Sequence, residues 1–378
     1  MRQRSVAHII PGYLNLAENW IYELIRRHQR YPPVVLTSST RNLALFPLPN
    51  GRIVALERRS LLVRALDRCE RQLLGRPIPS FLRAVRRSDA ALIHAHFGDV
   101  GWTHLFLAEQ TGRPLIASFY GYDVEMRGRD PLWRKRYQEL FARGQALLCL
   151  GEWMRGQLIG LGCPPAKALV LPFGADLERL TFRPRSWDGR GPVRAVMVAN
   201  FVPKKGHMIA LEALAQVRQQ VPSAELWLVG DGELRPQIEA HIQALGLTQA
   251  VRLLGRVPYP LTGGIGDEAQ LFVLPSHTAP DGNQEGLPMV LIEAQAIGLP
   301  VLSTVHACIP EVVAHGESGL LAPEGDVAGL VANWLALLEQ PARWPAMGAR
   351  GRQIVEARYN AATQAERLEE LYESLGNR

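Results

Sequence analysis

The 378-residue chain is predicted to fold as α/β, with two doubly wound parallel-sheet domains. Three observations predict it. The length exceeds the size at which one hydrophobic core keeps growing, and 47% apolar content is enough to fill two. Short β-rich runs alternate with helix-like stretches through the first half, the grammar of a parallel sheet covered by helices. After a polar segment at 183–192, rich in Arg, Gly and Pro and without apolar period, the same alternation starts again.

In the first half the strand candidates open at residues 5 (SVAHII), 34 (VVLTS), 52 (RIVAL), 91 (ALIHAHF), 115 (LIASFYG), 146 (ALLCL) and 169 (LVLPFG). In the second they open at 194 (RAVMVAN), 225 (ELWLVG), 251 (VRLLG), 271 (LFVLPS), 300 (PVLST) and 319 (GLLAP). Helical sequence covers 207–220 and 234–246, and 353–375 reads as terminal helices without a strand. The expected division is therefore a domain over 1–182, a linker over 183–192, a second domain over 193–355, and a C-terminal helix over 356–378 that can cross back to the first domain.

Charge divides unevenly. Before residue 180, 26 Lys and Arg face 15 Asp and Glu; after it, 16 face 21. The basic excess belongs to the first half, where residues 57–87 interleave arginines with Leu, Val and Phe. Such a segment suits an anionic membrane surface or a lipid-linked pyrophosphate, or is simply a solvated helix face. Basic residues are not interleaved with exposed-looking aromatics, which argues against nucleic-acid binding. Cys69, Cys149, Cys163 and Cys308 are scattered, with no zinc spacing and no C-x-x-C pair. No uncharged stretch has membrane-spanning length, so a soluble cytoplasmic protein is expected, with at most peripheral contact at the inner membrane face.

The most informative segment is 285–304, EGLPMVLIEAQAIGLPVLST. Proline is tolerated in a first helical turn, so a helix is expected from about Leu287, with Pro288 in its first turn, Glu293 on it, and Glu285 and Gly286 ahead of it. Carboxylates accept paired hydroxyls well, so Glu285 and Glu293 suit the two ends of a sugar nucleotide, with backbone N–H groups between them facing a diphosphate. Taken alone, the spacing fits an ordinary solvated helix equally well. Lys204 and Lys205 end a strand and enter a helix, in a chain with only two other lysines. Either can neutralise a departing phosphate, the charge problem of a transferase without metal. Gly230 and Gly232 form a generic Gly-x-Gly turn that permits close backbone approach to a ligand. Arg256 and Val257 follow a strand and can flank a nucleobase; the bland reading is equally good there.

Together, 204-KKG, 230-GDG, 255-GRV, 285-EGLP through Glu293 and 309-IPEVVAHGESGLLAPEGD resemble the ordered motifs of the GT-B retaining glycosyltransferases of family 4, similar to the bacterial exopolysaccharide and colanic-acid subgroup. The resemblance implies two Rossmann-like domains facing across a cleft, the first for acceptor and the second for donor. It implies Lys205 on the diphosphate, Glu285 toward the donor sugar and Glu293 on ribose. Asn200 stands where the family commonly has arginine, leaving Lys204 or Arg256 to supply the missing charge. The donor expected is a nucleoside-diphosphate sugar, a UDP-sugar foremost, with no cofactor and no metal, since no Asp-x-Asp motif occurs.

On the acceptor side, 118-SFYGYDV resembles a His-Gly-x-Asp motif with Tyr120 in the histidine position, which makes Asp123 the leading base and His96 of 94-HAHFGD the second. Glu18 and Asn19 match the subgroup's N-terminal entry in kind. The expected reaction moves a hexose-type sugar to a hydroxyl of a glycan, lipid-linked or small-molecule acceptor in bacterial polysaccharide or glycoconjugate biosynthesis. The rivals are a non-hydrolysing sugar-nucleotide epimerase of the same architecture and a catalytically silent sugar-nucleotide-binding subunit.

Overall fold

The computed structural model describes residues 4–14, 19–63, 65, 78–259, 261 and 264–376; Glu18 and most of the arginine-rich stretch within 64–77 lie outside these. The chain forms two units, Met1–Gly174 with Ala361–Arg378, and Ala175–Asn360.

The first unit is built on strands β1 (Ser5–Ile9), β3 (Pro33–Thr37), β5 (Arg52–Ala55), β6 (Ala90–His96), β7 (Leu115–Ser118), β8 (Ala146–Cys149) and β9 (Ala168–Val170); the two-residue strands β2 (Gly12–Tyr13) and β4 (Ser39–Thr40) pair separately. The sheet order is β5-β3-β1-β6-β7-β8-β9, and every pairing is parallel. Every residue of β1, β3, β6, β7 and β8 is buried. Strands covered on both faces need continuous apolar runs, which is why these segments were legible.

The last helix, Ala361–Gly376, belongs to this unit. Its Leu368 and Tyr372 join Val6, Tyr31, Leu92, Ile116 and Leu148 in one core cluster. Glu369, buried on the same helix, accepts the N–H groups of Gln29, Arg30 and Tyr31 on Oε1 at 2.9, 2.8 and 3.0 Å. One carboxylate oxygen thus satisfies the turn leading into β3.

The second unit contains β10 (Val193–Val198), β11 (Ala224–Val229), β12 (Val251–Gly255), β13 (Leu271–Leu274), β14 (Val301–Thr304) and β15 (Gly319–Ala322), all parallel in the order β12-β11-β10-β13-β14-β15. Strand order reverses between β10 and β13, as it does between β1 and β6 in the first sheet. Such a reversal splays the loops leaving the two central strands and opens a crevice at their C-terminal ends. Residues 181–192 carry no helix or strand, yet Arg185 within them is buried and donates to the carbonyls of Asp267, Ala269 and Ile297.

Glu369→Ala would orphan three backbone donors. It is expected to lower unfolding stability by about 2–3 kcal/mol, with Glu369→Gln, which keeps an acceptor oxygen, costing less; urea titration of both variants checks this.

Candidate active site

At the switch point of the second sheet, the chain leaving β10 makes a single 3-10 turn, Pro203–Lys205, ended by Gly206 at φ +75°. A Cβ at Gly206 would stand 2.0 Å from the Pro275 carbonyl oxygen, so only glycine lets this turn lie against the end of β13. The contact is secured by the His277 N–H donating to the Lys204 carbonyl at 2.9 Å.

Both lysines then reach one carboxylate. Lys205 Nζ lies 2.6 Å from Glu285 Oε1 and Lys204 Nζ 3.8 Å from Oε2, with the Lys205 and Glu285 side chains only 15% and 7% exposed. Lys204 also donates to the Gln284 carbonyl at 2.8 Å and to Asn283 Oδ1 at 3.3 Å, pinning the loop before Glu285. Burial by itself would raise the Glu285 pKa, but the two ammonium groups outweigh it and hold the carboxyl at about 2. Burial depresses the Lys204 pKa, with the Glu285 charge opposing the shift. Ser276, just past β13, donates its hydroxyl to Glu285 Oε1 at 3.4 Å.

The backbone of Glu285 is held as firmly. Its N–H donates to His306 Nε2 at 3.0 Å, so that nitrogen is unprotonated and the ring proton sits on Nδ1, which donates to Glu324 Oε1 at 2.6 Å. Glu324 accepts the Thr278 N–H as well, at 2.7 Å. These partners come from the segments after β13, β14 and β15, so four consecutive elements of the sheet converge on one residue.

The helix after Glu285 is Met289–Ala296, with Pro288 as its N-cap, and does not begin at Leu287 as expected. The cause is steric: a residue preceding proline is pushed out of the α region, which keeps Leu287 extended. Glu285 therefore lies in a loop four residues ahead of the helix, with Gly286, Leu287 and Pro288 buried behind it, while Glu293 is half-buried on the helix. The glycine turn also differs in detail. Cβ atoms at Gly230 and Gly232 would meet the Ala199 carbonyl at 1.9 Å and the Phe201 carbonyl at 2.5 Å, so the direction a side chain would take is filled by backbone and not by ligand space. These glycines seat the loop carrying Asn200, which is itself exposed, as are Arg256 and Val257 beyond β12. The lysine–glutamate cluster forms without them.

In the first unit, Asp123 is fully buried. Its Oδ2 accepts the Gly98 N–H at 2.9 Å, and its Oδ1 those of Tyr120 and Gly121, each at 3.0 Å. Burial raises its pKa to about 6 against these three hydrogen bonds. This is the geometry of a tie between the loops after β6 and β7, in place of the expected base open to an acceptor. His96 is buried too, its Nδ1 2.6 Å from the Tyr120 hydroxyl and its Nε2 3.1 Å from His8 Nδ1. His94 beside it meets the Tyr372 hydroxyl at 2.6 Å and the Ser118 hydroxyl at 2.7 Å. The His28 ring lies 5.2 Å from that of His8, tilted by 40°, with neither ring nitrogen hydrogen-bonded. Among the described residues, His8, His94 and His96 bring ring nitrogens within 4.8 Å of one another, close enough to consider a metal ion. Both nitrogens of His94 and of His96 are already engaged, however, by neighbouring side chains.

Comparison with known proteins matches residues 183–354 to Glycosyl transferases group 1 and residues 17–179 to Glycosyltransferase Family 4. The amylovoran biosynthesis glycosyltransferase AmsK of Erwinia amylovora is 35% identical over 79% of this chain and 74% of its own length. The chain belongs to the family 4 (group 1) glycosyltransferases. WcaL of Salmonella typhimurium, named for colanic acid biosynthesis, is 37% identical over 63% of this chain and 59% of its own length. Among solved structures, Anabaena HepE in complex with UDP and glucose superposes with a TM-score of 0.79 at 19% identity, covering 98% of this chain and 100% of that one, a likeness of fold.

Within this glycosyltransferase, sequence reasoning missed Ser276, His306 and Glu324. His306 and Glu324 lie 21 and 39 residues beyond Glu285, and only strand register brings them together. Four of the buried histidines, those clustered in the first unit, carry a consequence for pH. Burial lowers the pKa of His28 and His96 to about 3, and those of His8 and His94 well below 6.5. The unfolded chain therefore binds more protons below pH 6.5, and stability falls as pH drops through that value, by about 1 kcal/mol per histidine at pH 5.5. Asp123, with its raised pKa, acts in the opposite sense only between 3.8 and about 6. The apparent Tm is expected to decline steadily from pH 7.5 to 5.5, and more gently in His28→Phe; an unchanged Tm across that range would contradict the neutral cluster.

Proposed function

We propose that this glycosyltransferase moves a hexose-type sugar from a UDP-sugar to a hydroxyl acceptor with retention of anomeric configuration and without a divalent metal. The observation that carries the proposal is the Lys205–Glu285 pair at the switch point of the second sheet, a half-buried cation beside a buried carboxylate that stays ionised at any working pH. Glu285 is the acceptor for hydroxyls of the donor sugar, and Glu293 for those of the ribose. Lys205 and the N-terminal end of helix Met289–Ala296 receive the diphosphate, where the helix dipole favours negative charge. As the C1–O bond loosens, charge builds on the leaving phosphate beside Lys205, and the acceptor hydroxyl enters on the same face. Asn200, Lys204, Gly230, Gly232, Arg256 and Val257 complete the donor side, Lys204 by holding the Glu285 loop and the glycines by seating the Asn200 loop. UDP is the favoured nucleotide because it is the one in the Anabaena structure, which shares this fold.

The acceptor side is assigned to the first unit, with a glycan, lipid-linked chain or small molecule bearing the hydroxyl, as suits a relative named for amylovoran biosynthesis. Asp123 serves it by fixing the Gly98 and Tyr120 loops, and His96 by orienting the half-buried Tyr120. A peripheral contact with an anionic membrane face completes the reading; among the described residues no helix is long and apolar enough to cross a membrane.

A thermal-shift panel of nucleoside diphosphates and their sugars is expected to give clear stabilisation by the uridine compounds, lost in Glu293→Ala. Stabilisation by guanosine or adenosine compounds alone would overturn the nucleotide assignment. With the matching donor, Lys205→Ala is expected to lower kcat by roughly 10²-fold or more, and His306→Ala to weaken donor binding by freeing the Glu285 backbone. Turnover is expected to survive chelator; a loss restored by magnesium or manganese would contradict the metal-free step.

A further inference from the structure

A concavity of about 150 Å³ in the first unit is lined by Arg52, Arg59, Arg83 and Arg87 together with Val63, Ser80 and Ala84. It lies beside β5, the edge strand of the sheet, against the helix Pro79–Arg87. That helix buries Ser80, Phe81, Ala84 and Val85, so its period turns Arg83, Arg86 and Arg87 outward. Among the described residues, none of the four lining arginines has an ion pair or side-chain hydrogen bond, and no Asp or Glu lines the cavity. Elsewhere in the unit Arg26, Arg27, Arg30, Arg113, Arg127 and Arg143 meet carboxylates, and Arg4, Arg86 and Arg134 donate to backbone carbonyls. Four like charges held together unpaired repel one another, and an anion relieves that repulsion. Guanidinium groups bind phosphate oxygens in a bidentate fashion.

Next to the arginines stand Leu61 and Leu62, 80% and 73% exposed. A single exposed leucine is ordinary, but two in succession beside an unpaired cationic groove make a surface with both phosphate-binding and apolar character. We infer that this groove docks on a bilayer containing anionic phospholipids, the arginines taking headgroup phosphates and the leucine pair entering the acyl boundary. The groove has no aromatic side chain on which bases could stack, which disfavours a nucleic acid as occupant. The inference deepens the membrane contact in the proposed function and rests on that reading for its setting, while its geometry is independent of the donor site.

The test is co-sedimentation of the full chain with vesicles of phosphatidylcholine alone and of phosphatidylcholine with phosphatidylglycerol, at low and high salt. Binding is expected only to the anionic vesicles and is expected to weaken with salt. The double variant Arg83→Ser with Arg87→Ser should bind on the order of 20-fold more weakly, Arg83→Lys with Arg87→Lys should retain most binding, and Leu61→Ser with Leu62→Ser should lose the salt-resistant part. Equal binding to neutral vesicles, or no effect of the arginine variants, overturns the proposal. So does an arginine-dependent thermal shift by inorganic pyrophosphate without vesicle binding, which would mark a site for a soluble phosphate. Nucleotide-induced thermal shifts are expected to be the same in all these variants and the wild type; if vesicles bind and no nucleotide shifts the Tm, the donor reading fails and the docking surface stands.

Discussion

A carboxylate removed from water stays ionised only when cations stand beside it, and that requirement organises the second unit. Glu285 is buried, so two lysines must be delivered to it from the strand across the switch point. That delivery demands a turn tight enough to lie on the end of β13, which in turn demands a glycine at 206. The backbone of Glu285 must also be fixed, which falls to His306 in one tautomer, and that tautomer is set by Glu324. Breaking any member leaves an uncompensated charge or an orphaned donor in a dry site. Such an arrangement contributes little net stability, but it permits only one geometry.

The corresponding place in the first sheet is built from the opposite chemistry. Between β1 and β6 stand imidazoles that burial keeps uncharged, linked through His8 and His96 to the Tyr120 hydroxyl and through His94 to Tyr372 and Ser118. The two switch points thus differ as a charged cluster differs from a neutral hydrogen-bonded one. The charged one is held in place by ion pairs, the neutral one by hydrogen bonds among buried rings and hydroxyls.

Much of this was legible before any coordinates. The central strands could be read because strands buried on both faces must be apolar throughout, and the partly exposed edge strands β5, β9 and β12 from the alternation with helices around them. Lys205 and Glu285 each stand out in the sequence, because a lysine is rare in this chain and the acidic motif is distinctive, but their ion pair is seen only in the structure. The start of the helix was misplaced because tolerance of proline in a first turn was weighed without the constraint proline puts on the residue before it. For Asp123 the sequence leaves the role open, since an aspartate just past a strand looks the same whether its oxygens meet a substrate or three backbone N–H groups. His306 has no local signature, and Glu324, though it falls within the 309–326 motif, shows its role only once β14 and β15 are laid beside β13 in register.

The helix Ala361–Gly376 closes the core of a unit whose other residues precede it by some two hundred positions. On the ribosome, the β1–β9 sheet therefore emerges with one flank of its hydrophobic interior uncovered, its histidines lacking Tyr372 and the turn at Gln29–Tyr31 lacking Glu369. It must wait in that state while the whole second unit is made. The half of the enzyme translated first is thus the half finished last, which exposes it to chaperones and proteases for as long as elongation takes.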